Sequence, residues 1–197
     1  MRCVLFALSV LILCSSGPAL AGIPCIIIDV DTAGTPAVAL ITPSGTGASL
    51  ADQGITISVQ IMDCALVPVP NYPRQDVWVW GWNDDQVWMC PGGSVADRDT
   101  DADGRTTISG AIAGGGTTTD GTVIYVSGYP MTSPTTALPL DFVSPDLDGD
   151  LDVDIADFAL FGQDFGSTAM RSDLDPNGVV DIGDFSIFGR HFGTNCP

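Results

Sequence analysis

The chain has 197 residues and a formal net charge of −18. All 24 acidic residues are aspartates, and the sequence contains neither Glu nor Lys. Such a charge is repelled by the phosphates of nucleic acids and by anionic membrane surfaces, whereas hard cations take oxygen ligands from short carboxylates.

The chain opens with Met1-Arg2, an apolar run over 4–13 and the small-residue segment Ala19-Leu20-Ala21. This is the layout of a secretory signal peptide cut after Ala21 (1–21), so the mature protein is expected to be secreted and extracellular. The run is too short to span a bilayer, and no later stretch is apolar enough to do so, so no membrane partner is expected. About 176 residues remain, enough for one ordinary domain or two small ones. Four cysteines stay in the mature chain, Cys25, Cys64, Cys90 and Cys196. An even count in an exported protein predicts disulfides, with three pairings open. The favoured one is Cys64 with Cys90, leaving Cys25 and Cys196 to each other or free.

Residues 22–140 are rich in Gly, Thr, Val, Ile and Pro. Strands are predicted over 25–30, 37–41, 55–62, 77–82, 86–89, 106–112, 122–127 and 138–143. Turn signals separate them, at Pro43-Ser44-Gly45, Pro91-Gly92-Gly93, Asp103-Gly104 and Gly114-Gly115-Gly116. Short strands at this spacing predict a β-sandwich. The segment Thr100-Asp101-Ala102-Asp103-Gly104-Arg105-Thr106-Thr107-Ile108 resembles the turn and following strand of bacterial immunoglobulin-like domains. That resemblance implies an immunoglobulin-like sandwich and no activity.

Within 77–82, Trp78, Trp80 and Trp82 share one face of the predicted strand and Val77, Val79 and Gly81 the other. If the valines line the core, the tryptophans form an exposed strip suited to carbohydrate rings. The preferred reading buries the tryptophans, because aromatic side chains remove so much area from water. Asp97, Asp99, Asp101 and Asp103 before Gly104 resemble the start of a cation loop. Counted from Asp99, position 12 is Gly110, so the closing carboxylate is missing and a hairpin turn is preferred.

From Asp146 the pattern changes. Asp146, Asp148, Asp154, Asp157, Phe158, Phe161, Gly162, Phe165 and Gly166 recur 27 residues later as Asp173, Asp175, Asp181, Asp184, Phe185, Phe188, Gly189, Phe192 and Gly193. One fixed offset at so many positions marks a tandem duplication. Each copy places oxygen side chains at positions 1, 3, 5, 9 and 12 of a twelve-residue loop, the EF-hand spacing. Alternate side chains of a tightly curled loop converge on one point, and position 12 closes the shell from the following helix. Val153 and Val180, at position 8, are expected to point inward and tie the loops together. Helices are predicted over 155–165 and 182–192. Phenylalanines at i, i+3 and i+7 give each a single apolar face, and the two faces are expected to pack together. So short a segment buries little surface alone, so cation binding is expected to supply much of its folding free energy.

The region 146–193 resembles type I dockerins, small secreted modules that bind cohesin domains. Carried over by position, the resemblance implies calcium ligands Asp146, Asp148, Asp150, Asp152 (carbonyl), Asp154 and Asp157 in the first loop. In the second it implies Asp173, Asp175, Asn177, Val179 (carbonyl), Asp181 and Asp184, giving two calcium ions in all. Leu151 stands at position 6, where Gly is usual, which predicts a weaker or differently shaped first site. Gly178 keeps that position in the second, which is expected to be the stronger. Positions 10 and 11, where dockerins read their partner, are Ile155-Ala156 and Ile182-Gly183 in place of small hydroxyl residues. An apolar pair there suits another extracellular partner, or docking on the chain's own β-domain.

The predicted fold class is therefore mainly β: an immunoglobulin-like β-sandwich (22–140) followed by a small all-α dockerin-like calcium-binding module (141–197). The only histidine, His191, matches Asp164 of the first repeat. No paired carboxylates are marked outside the loops, and neither a Schiff-base lysine nor a Gly-x-Ser-x-Gly elbow is present. The expected function is calcium-dependent, non-catalytic docking to a cohesin-like or other extracellular partner. The resemblance implies a polysaccharide-degrading setting. A carbohydrate-binding module using Trp78, Trp80 and Trp82 is the alternative, and a hydrolase comes last.

Overall fold

A computed structural model describes residues 25–32 by their backbone, and residues 37–63, 65–82, 87–131 and 137–197 in full. The predicted signal peptide and Cys64 lie outside the described residues. The described residues are mainly β, with two α-helices near the C-terminus. The strands are β1 (Cys25–Thr32), β2 (Ala37–Leu40), β3 (Ile55–Met62), β4 (Val77–Gly81) and β5 (Val87–Met89), then β6 (Arg105–Ile108), β7 (Gly114–Gly116), β8 (Thr122–Val126), β9 (Tyr129–Pro130) and β10 (Leu140–Val143). They form four small sheets, ordered β1-β3-β6, β10-β2, β4-β8-β9 and β5-β7. Among the described strands, β10 and β2 pair in parallel and the other pairs are antiparallel.

Strand patterning follows burial. In β3, Ile55, Ile57, Val59 and Ile61 are buried, while Thr56, Ser58, Gln60 and Met62 are half-buried on the other face. In β4, Val77, Val79 and Gly81 are buried and the tryptophans point the other way. The expectation that the tryptophan side is the interior is thus corrected. Val77 and Val79 join Ile124, Val126 and Phe142 in the main core, while Trp78 and Trp80 are half-buried and Trp80 packs against the margin of that core.

Two predicted features also change. The Gly114–Gly116 run, read as a turn, is a strand paired with β5 in the register Val87↔Gly116, Trp88↔Gly115 and Met89↔Gly114. Periodicity is blind to a strand without side chains. The favoured Cys64–Cys90 pairing is replaced by a Cys90–Cys196 disulfide with Cα atoms 5.8 Å apart. The chain after the second helix runs back along the first aspartate loop, with Asn195 bridged to Asp152, and this carries Cys196 to the end of β5.

The helices are α1 (Ile155–Asp164) and α2 (Ile182–His191), each ending one residue before the predicted last phenylalanine. Phe165 and Phe192 are the C-caps, and Gly166 and Gly193 follow with φ of 80°. A second buried cluster gathers Leu147, Val153, Phe161, Leu174, Val180 and Phe188. It continues into the β-rich part through Val143, Val38 and Leu40. The β2–β10 pair is therefore shared. Ala37, Ala39, Leu140 and Phe142 face the main core, and Val38, Leu40 and Val143 face the helical segment.

Candidate metal centre

Each helix begins on an aspartate that serves two ends at once. Asp154 is the N-cap of α1 and accepts a hydrogen bond from the Ala156 N–H at 2.6 Å. Asp157, three residues on, reaches back to accept from the Asp154 N–H at 2.8 Å, closing a capping box. Its other oxygen accepts from Leu147 and Asp148, at 2.7 and 3.2 Å, and pins the start of the loop to the helix. The second copy repeats these bonds 27 residues later. Asp181 accepts from Gly183 at 2.6 Å, and Asp184 accepts from Asp181, Leu174 and Asp175 at 2.8, 2.7 and 3.1 Å.

Position 1 organises the middle of each loop. Asp146 accepts from the Gly149 and Leu151 N–H groups, both at 2.8 Å. Asp173 accepts from Asn177 and Gly178 at 3.0 and 2.7 Å. Leu151 adopts a φ of 72°, the left-handed conformation Gly178 takes with φ 91°. The first loop therefore keeps the curl of the second, and the side chain costs strain of about 1–2 kcal/mol there.

These bonds bring carboxylates together. Asp146, Asp148 and Asp157 form one group, and Asp173, Asp175 and Asp184 another, with the ligand atoms of each within 4.8 Å of one another. In each group the first and last members are buried and the middle one is exposed. Two unit charges 4.8 Å apart repel by about 3 kcal/mol at an effective dielectric of about 20. Burial, then the neighbouring Asp157 and Asp150 charges, push Asp146 up to about 7, against the backbone hydrogen bonds it accepts. Asp157 is also raised, chiefly by burial, with Asp148 contributing. The donors are all oxygen, a set suited to a hard divalent cation and not to a soft one. Two buried acidic triads can thus hold metal ions.

The remaining predicted ligands lie outside the two triads. Asp150 and Asn177 accept from the N–H groups of Asp152 and Val179, at 3.0 and 2.9 Å, and so shape positions 5 to 7. The Asp152 and Val179 side chains are exposed. Val153 and Val180 are fully buried. They hydrogen-bond not to each other but to the chain after the opposite helix. Val153 N–H donates to Thr194 O at 2.8 Å, and Val180 N–H to Ser167 O at 2.9 Å.

Of the six phenylalanines expected to pack together, only Phe161 and Phe188 are buried; Phe158, Phe165, Phe185 and Phe192 stay 40–53% exposed. Ile155 and Ile182 extend this apolar face, at 68% and 67% exposure. An open groove of about 420 Å³ runs along it, between Phe158, Phe165 and Phe185.

The aspartates around Gly104 do not form a third group. Asp101 accepts from the Asp103 and Arg105 N–H groups, both at 2.9 Å, in a turn where Gly104 has φ 70°. Asp97 is satisfied by Thr107, Ser109 and Gly110. Trp78 stacks on Tyr125 across the β4–β8 pair, with centroids 5.5 Å apart and planes at 5°. Trp80 meets Trp88 edge-on at 6.5 Å. His191 is half-buried at the end of α2, its pKa lowered by burial and then by Arg190.

Two residues of the site carry no signal in the aspartate motif. Gly115 lies directly beneath the Asp146 carboxylate, and the Trp88 ring packs against Gly149 of the first loop. Three successive glycines inside a strand were the available clue, since such glycines often mark a close approach of another part of the chain. No protein-family model and no curated protein matches this chain.

Proposed function

We propose that the protein is an exported calcium-binding protein whose C-terminal segment is a dockerin-like docking module, joined to an immunoglobulin-like β-sandwich, with no catalytic role. The observation that carries this reading is the duplicated triad. The same three carboxylates, held by the same backbone hydrogen bonds, occur twice at one offset beneath an exposed apolar helix face. Two calcium ions are the cations of choice, because loops of this spacing offer six to eight oxygens at about 2.3–2.6 Å when side chains and carbonyls are counted together. Asp146, Asp148, Asp150, Asp152 (carbonyl), Asp154 and Asp157 would hold one ion. Asp173, Asp175, Asn177, Val179 (carbonyl), Asp181 and Asp184 would hold the other. The cation's part is to neutralise the gathered carboxylates, which lets the loops fix the two helices.

The surface so fixed includes Ile155, Phe158, Ile182 and Phe185, all at least 40% exposed. Apolar side chains grouped in this way favour a protein partner. The partner is a cohesin-like or other extracellular protein, in a setting such as polysaccharide degradation. Calorimetry of the full chain should show two calcium-binding events. A pull-down from the source cell's secreted proteins should recover a partner with calcium but not with chelator. Ile155→Asp with Ile182→Asp should abolish recovery while calcium binding persists. Failure to bind calcium at millimolar concentration would remove this function.

A second reading rests on Trp78 and Trp80, which share the face of β4 opposite its buried valines, with Trp82 just beyond the strand. With the valines of β4 in the core, Trp78 and Trp80 lie half-buried on the other face, Trp78 stacked on Tyr125 and Trp80 edge-on to Trp88, and together with Trp82 they can offer their remaining ring surface to the sugar rings of a polysaccharide. Quenching of tryptophan emission by a soluble polysaccharide, lost in Trp78→Ala, would support it; no quenching by any neutral glycan would count against it.

A further inference from the structure

The two loops are copies in sequence but not in setting. The first sits against the β5–β7 pair. A side chain on Gly115 would occupy the space filled by the Asp146 carboxylate, and the Gly116 N–H donates to the Asp146 carbonyl at 2.7 Å. At position 4, a Cβ on Gly149 would stand 3.1 Å from Cδ1 of Trp88 and 3.7 Å from the Gly116 Cα, so the loop lies flat on the β5–β7 surface. The segment after α2 flanks it on another side. Asn195 bridges to Asp152, Cys196 N–H donates to Leu151 O at 3.2 Å, and the Cys90–Cys196 disulfide fastens that segment to the end of β5. The second loop is flanked by the chain after α1, with Val180 N–H donating to Ser167 O at 2.9 Å, but it has neither a sheet beneath it nor a disulfide-fastened neighbour. Residues 175–179 are exposed, and nothing lies within 4 Å of a Cβ built on Gly178.

We infer that Gly115 and Trp88, in the β-rich part, are positioning residues of the first cation site, so that this loop is held ready and fills before the second. This rests on reading the loops as cation sites, and it reverses the order expected from Leu151 and Gly178. The physical reason is preorganisation. A loop already held on two sides loses little further freedom when it closes on an ion, whereas a more solvent-facing loop must be ordered by binding itself. Gly115 is required because any side chain there displaces Asp146, the residue whose two oxygens curl the loop. Trp88 supplies a rigid floor and, being an indole, a built-in reporter of the loop it touches.

The test is a calcium titration of the full-length exported protein, followed by calorimetry and by tryptophan emission in parallel. Two events are expected, with the emission change tracking the tighter one. Asp184→Asn should remove the weaker event and leave the emission change. Asp157→Asn should remove the tighter event and the emission change together. Gly115→Ala should weaken the tighter event about 10- to 100-fold and leave the weaker one in place. Trp88→Phe should abolish most of the emission change and weaken the tighter event alone; it keeps the inference testable if Gly115→Ala folds poorly. Emission that follows the event removed by Asp184→Asn, or Gly115→Ala and Trp88→Phe leaving the tighter event untouched, would overturn it. Absence of any calcium heat in the parent protein would instead defeat the cation reading itself.

Discussion

Phe161 and Phe188 occupy the same position in the two repeats and stack on each other, with ring centroids 5.4 Å apart and planes at 28°. Each is 1% exposed, while the other four phenylalanines of the helices are at least 40% exposed. The stack is the centre of the second core cluster, and through Val38 and Leu40 it rests on the β2–β10 pair. Phe161→Ala or Phe188→Ala should therefore cost about 3–5 kcal/mol. Phe165→Ala and Phe192→Ala should cost well under half of that. Denaturant unfolding of the four variants with calcium present checks this; equal losses at buried and exposed positions would contradict it.

Leu151 offers a gain where most substitutions lose. Its φ of 72° is a conformation that a side chain strains and glycine does not. Its N–H still donates to Asp146, as that of Gly178 does to Asp173, so the loop needs this backbone shape. The side chain is only half-buried, so little packing is lost with it. Leu151→Gly is expected to raise stability by about 1 kcal/mol, after the added freedom of the unfolded chain is subtracted from the strain relieved. The check is the unfolding midpoint, and a lower midpoint would show that the leucine's packing outweighs its strain.

The mainly β class and the two acidic triads were legible in the sequence, for a physical reason. Alternation of period two marked β3 and β4, whose buried faces are uninterrupted β-branched or small residues. The 27-residue repeat marked both loops, because carboxylates that converge on one point must recur at fixed spacing. What escaped was whatever depends on a partner far along the chain. Gly115 is informative only once Asp146 is above it, and Cys90 finds Cys196 across 106 residues. The side of β4 that faces inward depended on how much apolar area the other strands supply. The phenylalanine spacing placed the helix faces, and Phe158 and Phe161 do meet Phe185 and Phe188, but two short helices cannot bury all six rings between them.

The acidity of Asp146 sets an unusual pH dependence for the calcium-free protein. Its carboxyl is pushed up to about 7 from an ordinary value of 3.8, mainly by burial. Between these values the folded chain holds a proton that the unfolded chain releases. Stability linked to this group is therefore greatest near pH 4 and falls as pH rises towards about 7. Asp164 shifts the other way, because Arg171 and Ser172 favour its charged form, but its contribution changes only below the ordinary carboxylate range. The chelated protein should accordingly melt higher at pH 5 than at pH 8. Calcium replaces the proton, so the order should reverse when calcium is added, with proton release seen by calorimetry in buffers of different ionisation heat. A chelated protein that is more stable at pH 8 would refute this account of Asp146.

The Cys90–Cys196 disulfide should matter more than its place near the C-terminus suggests. It closes a loop of 106 residues, for which chain entropy alone gives about 4–5 kcal/mol. It also holds the segment that bridges Asp152 through Asn195 and receives the Val153 N–H on Thr194. Losing it should therefore loosen the first loop as well as the whole fold. Cys196→Ser is expected to lower the unfolding free energy by about 2–5 kcal/mol and to expose the buried Cys90 thiol to alkylation. It should also reduce calcium affinity at the loop headed by Asp146, with the loop headed by Asp173 little changed. Denaturant unfolding and a calcium titration of the same variant separate the two effects. If stability falls while both calcium affinities hold, the disulfide acts on the unfolded chain alone, and the segment after α2 is not part of what shapes the first loop.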